Sequence, residues 1–180
     1  VTGDLGAAFM GLKVLEREKQ LHADDPEFQP RLQGYDYILE RFLKPEPRVD
    51  VLLDLKEAGI RIGAMIDISD GLSSDLLHIC KSSGCGVQIY DDRIPVVRET
   101  TEAASEFGME PLVAALHGGE DYELLFTTAL ADYDKVNAIT GVSVIGNMTS
   151  AGGRALLVGG DGTGVPLQAQ GWNAYPGSSG

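Results

Sequence analysis

Ile66-Asp67-Ile68-Ser69-Asp70-Gly71-Leu72-Ser73-Ser74-Asp75 starts with the alternation of a strand and ends with the spacing of a helix. Side chains two apart share a strand face, so Ile66 and Ile68 turn toward a core while Asp67 and Ser69 point together to the other side. Asp70 falls at the turn. Gly71 lets the backbone approach a neighbour closely, and the apolar spacing from Leu72 to Ser82 predicts a helix that stops at Gly84. The segment therefore delivers two carboxylates and a hydroxyl to the carboxyl end of a strand and the amino end of a helix. Ligands of open α/β sheets bind at such places, and the free N–H groups of a helix start suit phosphate. The plainer alternative is Asp70 as an ordinary N-cap with Asp67 solvated at the strand end.

Outward from this segment the chain alternates helices and strands. The strand is expected over 64–69, and VQIYD is the next one. A helix follows over Arg98 to Phe107, then a strand over Tyr122 to Thr128, a helix over Leu130 to Ile139, and strands at VSVIGNM and ALLVG. Upstream, Leu5, Phe9, Leu12 and Leu15 recur at helical spacing with Asp4 at the N-cap position and an end near Gln20. The stretch HADDPEFQP is a loop. A second helix over Tyr35 to Leu43 stops before Pro45 and Pro47, and a third over Val49 to Ala58 closes at Gly59. Elements of these lengths indicate a layered α+β or α/β domain, with strand order left open.

The chain has 180 residues, enough for one globular domain with an apolar core. Hydrophobic residues make up 43%, and no run reaches the roughly 18 apolar residues of a membrane span, so no membrane role is expected. A formal net charge of −13 argues against nucleic acid, which needs a basic surface. It leaves small phosphates open, because Mg can sit between carboxylates and substrate phosphates. Cys80 and Cys85 fit neither a disulfide framework nor a zinc or redox motif, and read as reduced thiols of a cytoplasmic protein. The start, VTGDLG, has neither a secretory signal nor a Met, and reads like a strand end entering a helix in something longer. The tail PGSSG, 176–180, is expected to be disordered.

A second chemical segment is His117-Gly118-Gly119-Glu120-Asp121-Tyr122-Glu123-Leu124. Its glycines permit unusual backbone angles and bring Glu120 and Asp121 to the mouth of a strand, although an ordinary loop has the same look. Gly3 and Gly6 could approach a phosphate but lack the Lys-Ser/Thr of a Walker A loop. Nothing in the sequence brings His22, His78 and His117 together, so no catalytic histidine is assigned. Trp172 is either a core or surface aromatic or a platform for a flat ring.

ISDGLSSDLLHI, GGEDYELLF, RFLKPEPRV, VIGNMT and GWNAY, with VTGDLGAA at the start, resemble in kind and order the carboxyl-terminal domain of thiamine-monophosphate kinases. Relatives of that fold, such as aminoimidazole ribonucleotide synthase, carry different residues at these motifs. The resemblance implies an α+β fold, a mixed sheet packed with helices, over 1–175. It also implies transfer of the γ-phosphoryl group of ATP to thiamine phosphate, with Asp67 and Asp70 as Mg ligands and Ser69 contacting ATP. Glu120 and Trp172 would contact thiamine phosphate. It further implies an amino-terminal ATP- and Mg-binding domain outside this chain, a homodimer at full length, and little activity for this half alone. The alternatives are a non-catalytic thiamine-phosphate or nucleotide-binding module, or another ATP-dependent member of the same superfamily. His117, Ala174 and Tyr175 depart from the family pattern, and this bears on the pocket for the organic ring.

Overall fold

The computed structural model describes residues 1–25 and 27–169. Its elements run α1 (Ala7–Asp24), α2 (Asp36–Leu43), α3 (Val49–Glu57), β1 (Ile62–Asp67), α4 (Leu72–Ser83), β2 (Cys85–Tyr90), α5 (Arg98–Glu106) and α6 (Pro111–His117). They continue with β3 (Leu124–Thr128), α7 (Tyr133–Asn137), β4 (Gly146–Ala151), β5 (Ala155–Val158) and β6 (Gly164–Pro166). The expected α+β class with a mixed sheet is observed. Strands β1 and β3 form an antiparallel pair, with Asp67 opposite Leu124. The other sheet runs β4-β2-β5-β6, and β2 is antiparallel to β4 but parallel to β5. Among the described residues no helix is long and apolar enough to cross a membrane.

Local chemistry explains where the elements depart from the sequence reading. The strand expected from Tyr122 begins at Leu124, because Tyr122 has φ 51, outside the extended region. The helix expected over Leu130 to Ile139 divides into a 3-10 turn, Leu130–Asp132, and the short α7. The strand expected from Val142 starts only at Gly146, since Val142 instead bridges Thr2 near the chain start. Helix α6 and strand β6 were not foreseen. The first is two turns with Pro at its start, and the second is three residues that include Gly and Pro, so neither carries a full period.

Helix α1 extends to Asp24 rather than Gln20, and Asp4 is not its N-cap. The N-cap position is Gly6, with φ 84 and no side-chain cap of its own. The Asp121 carboxylate takes over that role from far along the chain, accepting from Gly6 N at 2.8 Å and Ala8 N at 3.3 Å. Asp4 instead accepts a hydrogen bond from the Tyr37 hydroxyl.

Two apolar layers fix this frame. Leu5, Ile68, Leu72, Leu76, Val87, Ile89 and Leu125 bury the inner faces of α4 and the strands. Ala7, Met10 and Val14 of α1 pack with Ile38, Ala103, Ala104 and Ala114 in a helical layer. Small residues let these helices approach: a Cβ on Gly11 would lie 2.2 Å from the Ile38 carbonyl oxygen. Ile68 is fully buried, worth roughly 1.5–3 kcal/mol, and it locks in place the backbone that carries Asp67 and Ser69.

Candidate functional site

The two acidic segments are joined backbone to backbone beyond the end of β1. Ile68 N donates to Glu123 O at 2.8 Å, Tyr122 N to Ile68 O at 2.9 Å, and Glu120 N to Ser69 O at 3.0 Å. This approach requires glycine. A Cβ on Gly119, at φ +70, would lie 2.3 Å from Ser69 O, and one on Gly71, at φ +94, would lie 2.8 Å from Leu116 O. The result is one surface carrying Asp67, Ser69, Asp70, Glu120 and Tyr122.

The six carboxylates of these segments divide by burial. Asp67, Asp70 and Glu120 are exposed, while Asp75, Asp121 and Glu123 are buried. The buried three hold the frame. Asp75 Oδ2 accepts from Ser69 N at 3.0 Å and Asp70 N at 3.1 Å, fixing the turn that displays the exposed pair. Burial raises the Asp75 pKa against the pull of those N–H groups. Asp70 is no N-cap, because α4 is capped by Gly71 without a side-chain bond. Burial pushes Asp121 up to about 7, although the Gly6 and Ala8 N–H groups favour its ionised form.

Glu123 lies at the centre of a buried polar network. Arg48 Nε reaches it at 2.7 Å and Arg48 Nη2 also contacts it, Arg41 Nη2 lies at 2.7 Å, and Thr2 donates its hydroxyl. Burial alone would raise the Glu123 pKa, but the bonds from Arg48 and Thr2 and the Arg41 and Arg48 charges outweigh it and leave it lowered. Arg41 and Arg48 belong to RFLKPEPRV and Glu123 to GGEDYELLF, so two sequence motifs meet here as one ion network. A Cβ on Gly3 would lie 2.2 Å from Glu123 Oε1, and one on Gly6 would lie 2.8 Å from Ala115 N. These glycines make room for packing against Glu123 and α6, in place of the phosphate approach considered from the sequence.

Glu120 and Tyr122 have φ 64 and 51, the positive-φ non-glycine residues among those described. Such angles cost about 1–3 kcal/mol each and persist only where the surroundings enforce them. Buried Asp121 and Glu123 alternate with them and provide that enforcement. The Tyr122 phenol has its pKa raised, first by the neighbouring Glu120 and then by burial and the charges of Asp67 and Asp70.

Neither Asp67 nor Asp70 is paired with Lys or Arg among the described residues. No group of three or more His, Cys, Asp or Glu among them could by itself enclose an ion. That donor set does not fit a closed protein cage. It does fit Mg, which takes one or two carboxylates and completes its shell with water and phosphate. Burial lowers the His117 pKa, and its Nδ1 has no hydrogen-bond partner among the described residues. Trp172 and the tail 176–180 lie outside the described residues. The sequence reading missed Asp75, Asp121 and Glu123 as framework groups; alternation from the apolar Tyr122, Leu124 and Phe126 would have turned Glu123 outward, whereas it is buried.

Residues 2–159 match the family model described as AIR synthase related protein, C-terminal domain. The chain is 36% identical over 157 residues to the thiamine-monophosphate kinase of Buchnera aphidicola subsp. Schizaphis graminum, covering 84% of this chain and 44% of that protein. It is 40% identical over 133 residues to the thiamine-monophosphate kinase of Escherichia coli K12, covering 71% of this chain and 35% of that protein. Among solved structures it resembles one described as AaThiL complexed with AMPPCP and TMP, with a TM-score of 0.72, 28% identity, and coverage of 97% of this chain and 50% of that one. The hydrogenase maturation protein HypE of Escherichia coli shares the fold, with a TM-score of 0.66 at 17% identity over 97% of this chain and 50% of that one. The chain thus spans less than half the length of the curated relatives it matches.

Proposed function

The chain belongs to the AIR synthase related protein family as its C-terminal domain, and on that premise we propose that it is the acceptor-binding half of a thiamine-monophosphate kinase. Such an enzyme moves the γ-phosphoryl group of ATP to the phosphate of thiamine phosphate, giving thiamine diphosphate and ADP. The observation that supports the reading is the backbone junction at Ile68 and Ser69, which groups Asp67, Asp70 and Glu120 on one exposed surface.

Each side chain then has a role matched to its chemistry. Asp67 and Asp70 hold Mg, and Ser69 contacts ATP beside the start of α4. Mg held there would supply the positive charge that neutralises the phosphates. Glu120 receives the thiamine end of the acceptor, where a cationic ring and an amino donor attract a carboxylate while a phosphate would repel it. Trp172 packs on the organic ring. The nucleophile is already an anionic phosphate oxygen, so no general base is needed, and alignment with charge stabilisation carries the transfer. The absence of an assigned catalytic histidine is compatible with this chemistry.

The matched relatives are about twice as long as this chain or more, so most of the ATP site and the homodimer contact are assigned to polypeptide outside it. The enzyme is placed in the cytoplasm. The test compares the full-length polypeptide with residues 1–180 for thiamine diphosphate formation from ATP and thiamine phosphate. Mg-dependent product is expected from the first and none from the second. In the full-length enzyme Asp67→Asn lowers kcat much more than it raises KM for thiamine phosphate. Turnover only with other acceptors would point to another ATP-dependent enzyme of the superfamily, and binding without turnover to a binding module.

A further inference from the structure

A cavity of about 590 Å³, in which Asp67, Asp70 and Glu120 take no part, is lined mainly by apolar side chains, Val1, Val87, Ile89, Leu125, Val144 and Met148 among them. The first residues of the chain run between two segments that lead into it. On one side Val1 and Ser143 exchange both backbone bonds at 2.8 Å, Thr2 bridges Val142 in antiparallel sense, and Gly3 N donates to Gly141 O. On the other side Thr2 N donates to Leu124 O at 3.0 Å. Followed backward from Val1, the same line passes between residues 125–128 and 144–148, and both stretches are walls of the cavity.

Strand β3 presents an edge along this line. Glu123 O accepts from Ile68 N on the β1 side, whereas Leu124 O accepts from Thr2 N on the opposite side. Phe126 lies opposite Met65 in the ladder, but alternation turns its N–H and C=O away from β1, onto the edge that Thr2 meets. Such an edge beside an apolar cavity is a template for another strand.

We propose that the cavity is filled by the polypeptide immediately preceding Val1 in the full-length protein, which extends residues 1–3 backward as a strand antiparallel to β3. This assignment rests on the reading above that the chain is the C-terminal part of a longer kinase. The matched family model is a C-terminal domain, and the chain covers 50% of the AaThiL structure, so the additional length enters at Val1. Register sets the chemistry of the strand. With Thr2 against Leu124, the residue immediately before Val1 meets Phe126 and exchanges backbone bonds with it. Val1 is buried in the core cluster beside the cavity, so the second residue before it turns the same way and is apolar. The upstream half is thereby tied directly to β3, the strand that continues the Glu120–Glu123 segment.

The experiment is hydrogen exchange on the full-length protein, resolved at single amides, for wild type and for a variant with proline immediately before Val1. In wild type the Phe126 amide is expected to exchange about 100-fold more slowly than an exposed loop amide, independently of protein concentration. Proline removes the donor to Phe126 O, so exchange at Phe126 should rise about 10-fold or more, while the Ile68 amide, bonded to Glu123 O, keeps its protection. Fast exchange at Phe126 in wild type would overturn the assignment and leave the cavity to solvent or a small apolar ligand. Protection that survives proline would reduce it to burial alone, and protection that grows with concentration would give the cavity to a second copy. A further variant covers a proline chain that does not fold: Phe126→Cys with a cysteine immediately before Val1 should close a disulfide, because paired Cα atoms lie about 5.5 Å apart. Failure to close it counts against the strand. None of these readouts uses catalysis, so a full-length protein that protects Phe126 but does not phosphorylate thiamine phosphate would remove the kinase reading and keep the strand.

Discussion

Arg48 holds Glu123 through two nitrogens, Nε at 2.7 Å from Oε2 and Nη2 on Oε1, at a site where Glu123 has no solvent exposure. Arg41 adds a third contact at 2.7 Å. A buried carboxylate in such a fork is worth far more as a lock than as a net source of stability, because removing one partner strands the others. Replacing Glu123 with Ala leaves two partly buried guanidinium groups without their anion. The expected loss is about 3–5 kcal/mol, read as a lower urea midpoint at unchanged slope. A midpoint near wild type would mean that water or another acceptor replaces the carboxylate.

Asp121 makes stability depend on pH. Its pKa in the folded chain is about 7 against an ordinary value of 3.8, so between those values the folded state binds more protons than the unfolded one. Stability then falls as pH rises through that window: the contribution is full below about 3.8 and is lost above about 7. Asp121→Asn removes the titrating group but keeps one oxygen to accept from the start of α1. Thermal melts between pH 4 and 8 should therefore show a shallower decline for the variant. Parallel profiles would show that Asp121 is ionised in the folded protein.

Much of this architecture was legible in the sequence where a full period repeats. The helix that continues the Asp67–Asp70 segment and ends at Gly84, the second and third helices, and β5 all stand close to where spacing put them. Strand alternation put Asp67 and Ser69 together with Asp70 at the turn, but β1 ends at Asp67, and it is the turn held by Asp75 that carries Ser69 and Asp70. What the sequence hid is long-range. Asp121 caps a helix that begins near the chain start, and Glu123 meets Arg41 and Arg48 from another segment, so no local pattern announces either one. Asp4 occupies the N-cap position by sequence spacing, but Gly6 turns the chain there and Asp121 supplies the bond. Short elements such as α6 and β6 owe their form to packing rather than propensity.

Gly119 and Gly141 separate close approach from backbone angle. Both have positive φ, at +70 and +76, but a Cβ on Gly119 would lie 2.3 Å from Ser69 O while Gly141 has nothing within 4 Å. Gly141→Ala should cost only the left-handed penalty of about 1–2 kcal/mol. Gly119→Ala should cost more than that, because the backbone that joins the two acidic segments must move. In the full-length enzyme it should also reduce turnover. Equal unfolding midpoints for the two variants would show that the junction yields without strain.

Asp75 gives the sharpest separation of framework from site, because it never reaches the surface it organises. It is 2% exposed, and its Oδ2 holds both the Ser69 and the Asp70 N–H. Asp75→Ala leaves those donors without their acceptor and lets the turn relax, at a cost of about 1–3 kcal/mol in unfolding free energy. Because the turn carries Asp70, the Mg concentration needed for half-maximal rate in the full-length enzyme should rise as well. Asp75→Asn retains an acceptor oxygen and should recover most of the stability and part of the Mg response. If Asp75→Ala unfolds more easily but keeps a wild-type Mg dependence, the turn supports the fold without positioning Asp70 for the metal.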